Sequence, residues 1–478
     1  MHDKYRQLRV GLVGLGLEAY WSQFAGLEQR LLGYLDDVEK TIASDARVIV
    51  NLGLVDTPEK SLDAAHDVRR KDIDILLVYV TTYSLSAIVL PLIKRAQVPV
   101  ILLNLQPVSA MDYERLNAMQ NRTAMTGEWL AHCSSCSIPE IANVLRRLDI
   151  SFQQVTGMLD RDDACWSELD EWLRAAEVVH MLAHSRLGLM GHYYGGMLDI
   201  ATDLTQVSGR FDLHIEMLEV DELSHLRASV DDTALEAKTA EFRNFFDVTP
   251  ECSATELERA ARTAVALDRL VSSRDLDLIA YYYMGSGVAE NEDTMSSIIL
   301  GTSMLTGRGV PVAGEYEVKN VIAMKMMDLL GVGGSFTEFY AMDFGADLVL
   351  MGHDGPGHIS IAQDKIRVRP LSVYHGKVGA GLSVEMSVKH GPITLLSIVE
   401  DGPRGFMLLI AEGESVPGPI LEIGNTNSRY RFSPGARRFV EDWNSHGPAH
   451  HCAIGVGHIA SQLEKIASLL RLRSVKVC

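Results

Sequence analysis

Ile73-Asp74-Ile75-Leu76-Leu77-Val78-Tyr79-Val80 (IDILLVYV) is a short, nearly continuous apolar run with a helical pattern on either side. Three more stretches repeat it: Arg9–Gly16 (RVGLVGLG), Arg47–Gly53 (RVIVNLG) and Val98–Leu105 (VPVILLNL). A strand that is apolar on both faces must be covered on both faces. That is the condition of a parallel sheet sandwiched between helices. Helical patterns run to about Ser44, near Pro58–Arg70 and over Ile138–Leu148, and Phe152–Met158 closes the unit.

The alternation restarts with Arg186–Met190. A turn at His192–Gly196, a helix over Met197–Val207 and a strand over Leu213–Val220 follow. Glu236–Arg274 reads as helix, Leu276–Met284 as strand, Asn291–Leu305 as helix and Val310–Gly314 as a short strand. Then the period changes. Leu382, Val384, Met386 and Val388 alternate with Ser383, Glu385, Ser387 and Lys389, which predicts an antiparallel strand with one wet face. Turns at His390-Gly391-Pro392 and Asp401-Gly402-Pro403 set off Ile393–Val399 and Phe406–Ala411. The predicted fold class is α/β: two consecutive Rossmann-like parallel-sheet domains, 1–170 and 171–324, then a C-terminal antiparallel β-barrel-type domain, 325–478.

A chain of 478 residues is long enough for about three domains. Its net charge of −19 disfavours nucleic acid and anionic membranes as partners. Six cysteines are too few for a disulfide framework, and Cys133-x-x-Cys136 has no second pair to complete a zinc ribbon. MHDKYRQLRV has no signal-peptide core, and no apolar run reaches the roughly 18–20 residues of a spanning helix. A cytoplasmic location is the expectation.

Gly14-Leu15-Gly16-Leu17-Glu18-Ala19 fits the dinucleotide pattern G-x-G-x-x-A. The acidic residue expected at the end of the second strand is missing, so no nucleotide cofactor is assigned. Histidines point elsewhere. Eight of sixteen lie late in the chain: His353, His358, His375, His390, His446, His450, His451 and His458. Just upstream, Glu315 follows a strand's carboxyl end, where α/β sites form. Glu338 stands in Gly333-Gly334-Ser335-Phe336-Thr337-Glu338-Phe339-Tyr340. A carboxylate among aromatics is costly to bury unless paired or bound to metal. Two Glu and two His suit Mn²⁺, Co²⁺ or Mg²⁺ better than structural zinc.

Ala313-Gly314-Glu315-Tyr316-Glu317-Val318-Lys319, Ser335–Tyr340, Asp347–His353 and Ala449-His450-His451 together resemble the L-arabinose isomerase family, of the L-fucose/L-arabinose isomerase superfamily. The resemblance implies that Glu315, Glu338, His353 and His451 are metal ligands. It also implies two α/β domains and a C-terminal barrel. The sugar-contacting segments depart from the family pattern. Gly16-Leu17-Glu18-Ala19 replaces a Gln-His-Leu-Tyr type run, and Arg122 and Met125 stand for a Gln and a His. Asp354-Gly355-Pro356-Gly357-His358 replaces an apolar run.

The implied chemistry is metal-dependent aldose–ketose isomerisation of a sugar or sugar derivative through a cis-enediol. Glu315 and Glu338 would be the catalytic acid and base, with Mn²⁺ as cofactor and Co²⁺ or Mg²⁺ as substitutes. The altered contacts leave open another sugar or an acidic one, an epimerase or decarboxylase on the same metal site, or a non-catalytic sugar-binding homologue. Arg122, Met125, Glu18, His358 and His450 are the candidate substrate contacts. Strand alternation is expected to turn His450 away from His451. A homo-oligomer, a hexamer by the resemblance, would bring the Asn121–Gly127 segment to a neighbour's site.

Overall fold

The computed structural model describes residues 7–371 and 379–478, so Met1–Arg6 and His375, both used above, lie outside the described residues. The chain divides into two compact units, Met1–His180 and Met181–Cys478.

The first unit carries five strands: β1 (Leu8–Leu15), β2 (Arg47–Val55), β3 (Ile75–Val80), β4 (Val100–Gln106) and β5 (Gln153–Met158). All pairings are parallel, in the order β2-β1-β3-β4-β5. Every residue of the central β3 is buried, whereas the edge strand β2 is half-buried along most of its length. The IDILLVYV run is apolar because Leu92, Ile93 and Ile141 of flanking helices pack into the same core. Each such side chain contributes on the order of 1.5–3 kcal/mol by leaving water. Thr57 caps the helix Pro58–Arg70 by accepting from Lys60 N, and Pro58 begins it where no N–H is needed.

The G-x-G-x-x-A segment does not open a helix. A 3-10 turn, Glu18–Tyr20, follows it, and the first α-helix starts only at Leu27. The glycines are small for packing reasons. A Cβ on Gly16 would stand 2.8 Å from the Trp21 ring, and one on Gly14 would stand 2.7 Å from Leu54. Trp21 is fixed over this turn by donating Nε1–H to Asp56 at 2.7 Å.

In the second unit, β6 (Arg186–Gly191), β7 (His214–Leu218), β9 (Leu278–Tyr282) and β10 (Val312–Ala313) form a parallel sheet in the order β10-β9-β6-β7. The intervening β8 (Asp247–Val248) belongs to a smaller sheet. Two expected helices differ. The one predicted over Met197–Val207 begins at Leu204, where Asp203 caps it by accepting from Thr205 N and Gln206 N. Gly196 has φ 100° just upstream, a conformation that does not continue into helix. The stretch Asn291–Leu305 is two helices, Ala289–Ser296 and Ile299–Thr306. At the break, Ser297 Oγ bonds back to Asp293 O, the local competition by which serine interrupts a helix.

Nine more strands follow: β11 (Gly333–Asp343), β12 (Leu348–His353), β13 (Arg367–Leu371), β14 (Gly381–Glu385), β15 (Gly391–Glu400), β16 (Phe406–Val416), β17 (Thr426–Phe432), β18 (His451–Val456) and β19 (Arg473–Lys476). Seven make a mixed, mainly antiparallel sheet in the order β15-β18-β11-β12-β17-β16-β19, and β15 pairs with β16 as well. The β16–β19 pairing is parallel. The small sheet is β14-β13-β8.

The expected wet face of the Leu382–Lys389 strand is a second correction. Only Gly381–Glu385 is strand, and Ser383 and Glu385 are as buried as their apolar neighbours. Glu385 is drawn inward by Arg369 Nε at 3.0 Å and by Gly424 N at 2.9 Å. One contiguous core runs under both larger sheets of this unit. The helix Val318–Leu329 is buried from Val318 through Met327. Its lysines end on carbonyls: Lys325 Nζ donates to Gly309 O and Lys319 Nζ to Asp199 O. Among the described residues, no helix is long and apolar enough to cross a membrane.

Candidate metal centre and active site

Glu315 follows β10 after one residue, Gly314. Glu315 and Tyr316 have φ of 58° and 63°, two consecutive non-glycine residues in the left-handed region. Such residues cost on the order of 1–3 kcal/mol each and persist only where the surroundings hold them. Here Tyr316 N donates to Tyr281 O, and Glu317 N to Gly314 O, both at 3.0 Å. The turn aims Glu315 back across the end of the parallel sheet.

Strand register brings in the other residues. On β11, Glu338 pairs with His451 of β18 on one side and with Gly352 of β12 on the other. His353 is the next residue, at the end of β12. Beneath both imidazoles lies Phe336, fully buried, with ring centroids 4.3 Å from His353 and 4.4 Å from His451. His353 Nδ1 lies 2.9 Å from Asp354 O. A carbonyl only accepts, so Nδ1 carries the proton and Nε2 keeps its lone pair. His353 Nε2 stands 4.0 Å from Glu315 Oε1, and His451 Nε2 stands 3.3 Å from Glu315 Oε2.

Two overlapping groups result. Glu338, His353 and His451 each offer an atom within 4.8 Å of the others, and so do Glu315, His450 and His451. Glu315 Oε2 and both ring nitrogens of His451 are buried without a hydrogen-bond partner. Buried donors and acceptors are seldom left so. Glu315 Oε2 and His451 Nε2 face each other at 3.3 Å where a cation would sit, while His451 Nδ1 lies on the far side of the ring, and an N/O set of this kind fits a hard or borderline divalent ion.

Electrostatics follow the same plan. Burial opposes ionisation of Glu315, but His450, His451 and His353 outweigh it and hold its carboxyl at about 2. Burial depresses His353 to about 4 and His451 to about 3, which keeps both imidazoles neutral, as metal ligands must be. Burial also raises Glu317 to about 7. Glu317 Oε2 is 3.6 Å from His451 Nδ1, behind the ring. His450 goes the other way: burial would lower it, but Glu315 and Asp199 raise it to about 9.

A narrow cavity of about 20 Å³ opens on this cluster, lined by Tyr194, Tyr281, Glu315, His353, Asp354 and Pro356 among others. The remaining expected contacts fall differently. His450 does not turn away. It precedes the first residue of β18, so strand alternation does not govern it, and its ring centroid lies 3.8 Å from that of His451. His358 is neither a solvent-exposed loop residue nor part of the cavity lining. It is buried against Asp328 at 3.4 Å and Ser360 at 3.0 Å.

Glu18, Arg122 and Met125 belong to the first unit. Glu18 is exposed on the 3-10 turn. Arg122 is exposed and Met125 half-buried on the helix Arg122–Leu130, which Asn121 caps. Beside that helix runs a groove of about 800 Å³ lined by Gln23, Phe24, Arg30, Asn121, Thr123 and Gly127 among others. Cys133 is buried and Cys136 exposed, and among the described residues neither joins a metal-binding group.

Sequence reasoning missed Asp199, Glu317, Tyr194 and Tyr281. Glu317 left a trace as the second acid of Glu315-Tyr316-Glu317 beside an apolar helix. Asp199 left none, because nothing local ties it to His450.

Residues 333–473 match the family described as the L-arabinose isomerase C-terminal domain. The stretch contains Glu338, His353 and His451. An L-arabinose isomerase of Aeromonas salmonicida (strain A449) is 21% identical over 415 residues, covering 84% of this chain and 80% of that protein. These matches support reading the chain as a divergent relative of the L-arabinose isomerase family. The similarity suggests an aldose–ketose isomerase acting on a sugar.

Proposed function

We propose that this chain is a divalent-metal-dependent aldose–ketose isomerase with an altered substrate shell. The observation that supports the reading is the pair of overlapping groups, Glu338–His353–His451 and Glu315–His450–His451, with Glu315 Oε2 and His451 Nε2 buried without a hydrogen-bond partner. When bound there, Mn²⁺, Co²⁺ or Mg²⁺ would supply Lewis-acid polarisation of the sugar carbonyl and its neighbouring hydroxyl. His353 and His451 stay neutral and direct Nε2 inward. The carboxylates of Glu315 and Glu338 carry the protons: one takes the proton from the carbon beside the carbonyl while the carbonyl oxygen gains one, giving the enediol; delivery of a proton to the former carbonyl carbon and loss of the proton from the neighbouring hydroxyl complete the shift. Tyr194 and Tyr281 wall the cavity and limit water at the reacting carbons.

Among the described residues, the lining of this cavity includes Glu315 and Asp354 but no Lys or Arg. That favours a neutral polyhydroxy aldehyde over a sugar acid. A charged substrate would need a cation from elsewhere, and Arg122 of another copy is the candidate. We accordingly propose a cytoplasmic homo-oligomer, a hexamer by family resemblance, in which the Asn121–Gly127 helix start completes a neighbour's site. We retain the three-domain division at 170 and 324, and we read the double pairing of β15 as closure of a β-barrel.

An NMR screen of aldoses, ketoses and sugar acids with added Mn²⁺ tests the reading. Interconversion of an aldose and its ketose is the expected result. Epimer formation, CO₂ release or no turnover would each overturn it. For assembly, Glu338→Gln mixed with Arg122→Ala should recover activity after subunit exchange, provided Arg122→Ala alone is impaired. A fully active monomer would sink the shared site.

A further inference from the structure

Asp199 lies between β6 and the helix Leu204–Phe211, in a segment without regular secondary structure. It is nevertheless tied at both its backbone and its side chain. Its carbonyl accepts from Lys319 Nζ at 2.8 Å, and Ile200 O accepts from the same ammonium at 3.2 Å. Lys319 is buried and sits four residues after Glu315 on the largely buried helix Val318–Leu329. The Asp199 carboxylate then reaches His450. Oδ2 accepts the His450 backbone N–H at 3.0 Å and lies 2.6 Å from Nδ1.

A carboxylate can only accept, so the short contact places a proton on His450 Nδ1 and fixes the plane of the ring. Nε2 is thereby turned toward the two acids, 3.6 Å from Glu315 Oε2 and 4.0 Å from Glu338 Oε2. His353 and His451 are almost wholly buried, with side chains 5% and 0% exposed. His353 reaches the cavity from its buried place in the lining, whereas His450 keeps 35% of its side chain open and is the most solvent-accessible imidazole of the cluster.

We infer that Asp199 is a positioning residue for His450, and that His450 Nε2, held between Glu315 and Glu338, hydrogen-bonds a hydroxyl of the bound sugar next to the reacting carbons. This assignment rests on the isomerase reading above. Lys319 completes the arrangement. It anchors the Asp199 backbone to the same helix that follows Glu315, so the acid and the imidazole are referenced to one rigid element.

The test compares wild type with Asp199→Asn, Asp199→Ala, His450→Ala and the double variant Asp199→Ala/His450→Ala. ¹⁵N-histidine NMR on the metal-free protein should show Nδ1 of His450 protonated in wild type and that signature lost in Asp199→Asn. Mn²⁺ affinity by calorimetry should change less than about threefold, because His451 and the acids remain. Affinity for L-arabitol in the Mn²⁺-loaded protein should fall about 10- to 100-fold in each single variant. The double variant should be no worse than His450→Ala alone, since both act through one ring. An unaltered His450 signal in Asp199→Asn, additive losses in the double variant, or loss of Mn²⁺ binding equal to loss of L-arabitol binding would each overturn the assignment. None of these readouts needs turnover. An inactive wild type with the expected NMR and binding pattern would defeat the isomerase reading and leave the positioning role standing.

Discussion

Two glycine-led strand ends lie at the carboxyl edge of a parallel sheet, one in each unit, β1 inside its sheet and β10 at the edge of its own. Gly14-Leu15-Gly16 closes β1, and Gly314-Glu315-Tyr316 follows β10. The first matches a cofactor pattern, yet its glycines make room for Leu54 and Trp21. The second fits no cofactor pattern, yet it holds two consecutive left-handed residues and sends a carboxylate toward three histidines. A motif shows that small residues are needed; whether the space serves a ligand or a neighbouring ring is settled by what packs there. Single left-handed residues such as Gln97, Asp212 and Asp275 merely end helices here, and it is the consecutive pair Glu315–Tyr316 that accompanies the site.

Four measurements sharpen that contrast. The largest effect belongs to the β10 end. Glu315→Gln or Glu338→Gln should lower kcat by orders of magnitude and weaken Mn²⁺ binding, and EDTA should abolish turnover until Mn²⁺ or Co²⁺ is added. Full activity in the chelated enzyme would remove the metal from the account.

Next in size is the pH dependence of the chelated protein. His353 and His451 have folded-state values below the ordinary 6.5, so they stabilise the fold above that pH and lose the contribution as pH falls through about 4 and 3. Glu317, raised to about 7, has the opposite sign: its contribution is full below the ordinary 4.5 and is lost as pH rises through 7. His450, raised to about 9, likewise loses its contribution as pH rises from 6.5 to 9. Between pH 6.5 and 4.5 two groups outweigh one, so stability falls on acidification. The melting temperature should therefore peak near pH 6.5, with an acid-side loss on the order of 3 kcal/mol. A flat profile, or an optimum at pH 4, would contradict the burial of the two imidazoles.

A smaller effect is expected at the β1 end. Gly16→Ala drives a methyl against Trp21 and should destabilise the first unit by about 1–3 kcal/mol. Residual folded protein should keep its Mn²⁺ affinity. Smallest is the expected response to NADH: titration should give no saturable binding, because Trp21 already covers the turn. A micromolar Kd would restore the cofactor reading of β1 and erase the contrast between the two ends.

The parallel sheets were legible because burial on both faces forces long apolar runs such as Ile73–Val80, whatever the chain does elsewhere. Glu315 and Glu338 were legible because carboxylates beside buried glycines and aromatics need partners. Family resemblance supplied His353 and His451, whose spacing from the acids obeys no local rule. Other features depended on distant groups. Glu385 reads as a solvent-facing position until Arg369 is placed against it. His358 reads as a loop histidine until Asp328 arrives from thirty residues upstream. His450 appears to point away until the start of β18 is known. Periodicity and residue chemistry, which act over a few positions, determined the layers and the kinds of group that can react. Register and long-range hydrogen bonding, which act between residues hundreds of positions apart, decided that Asp199 meets His450 and that Glu338 lies beside His451.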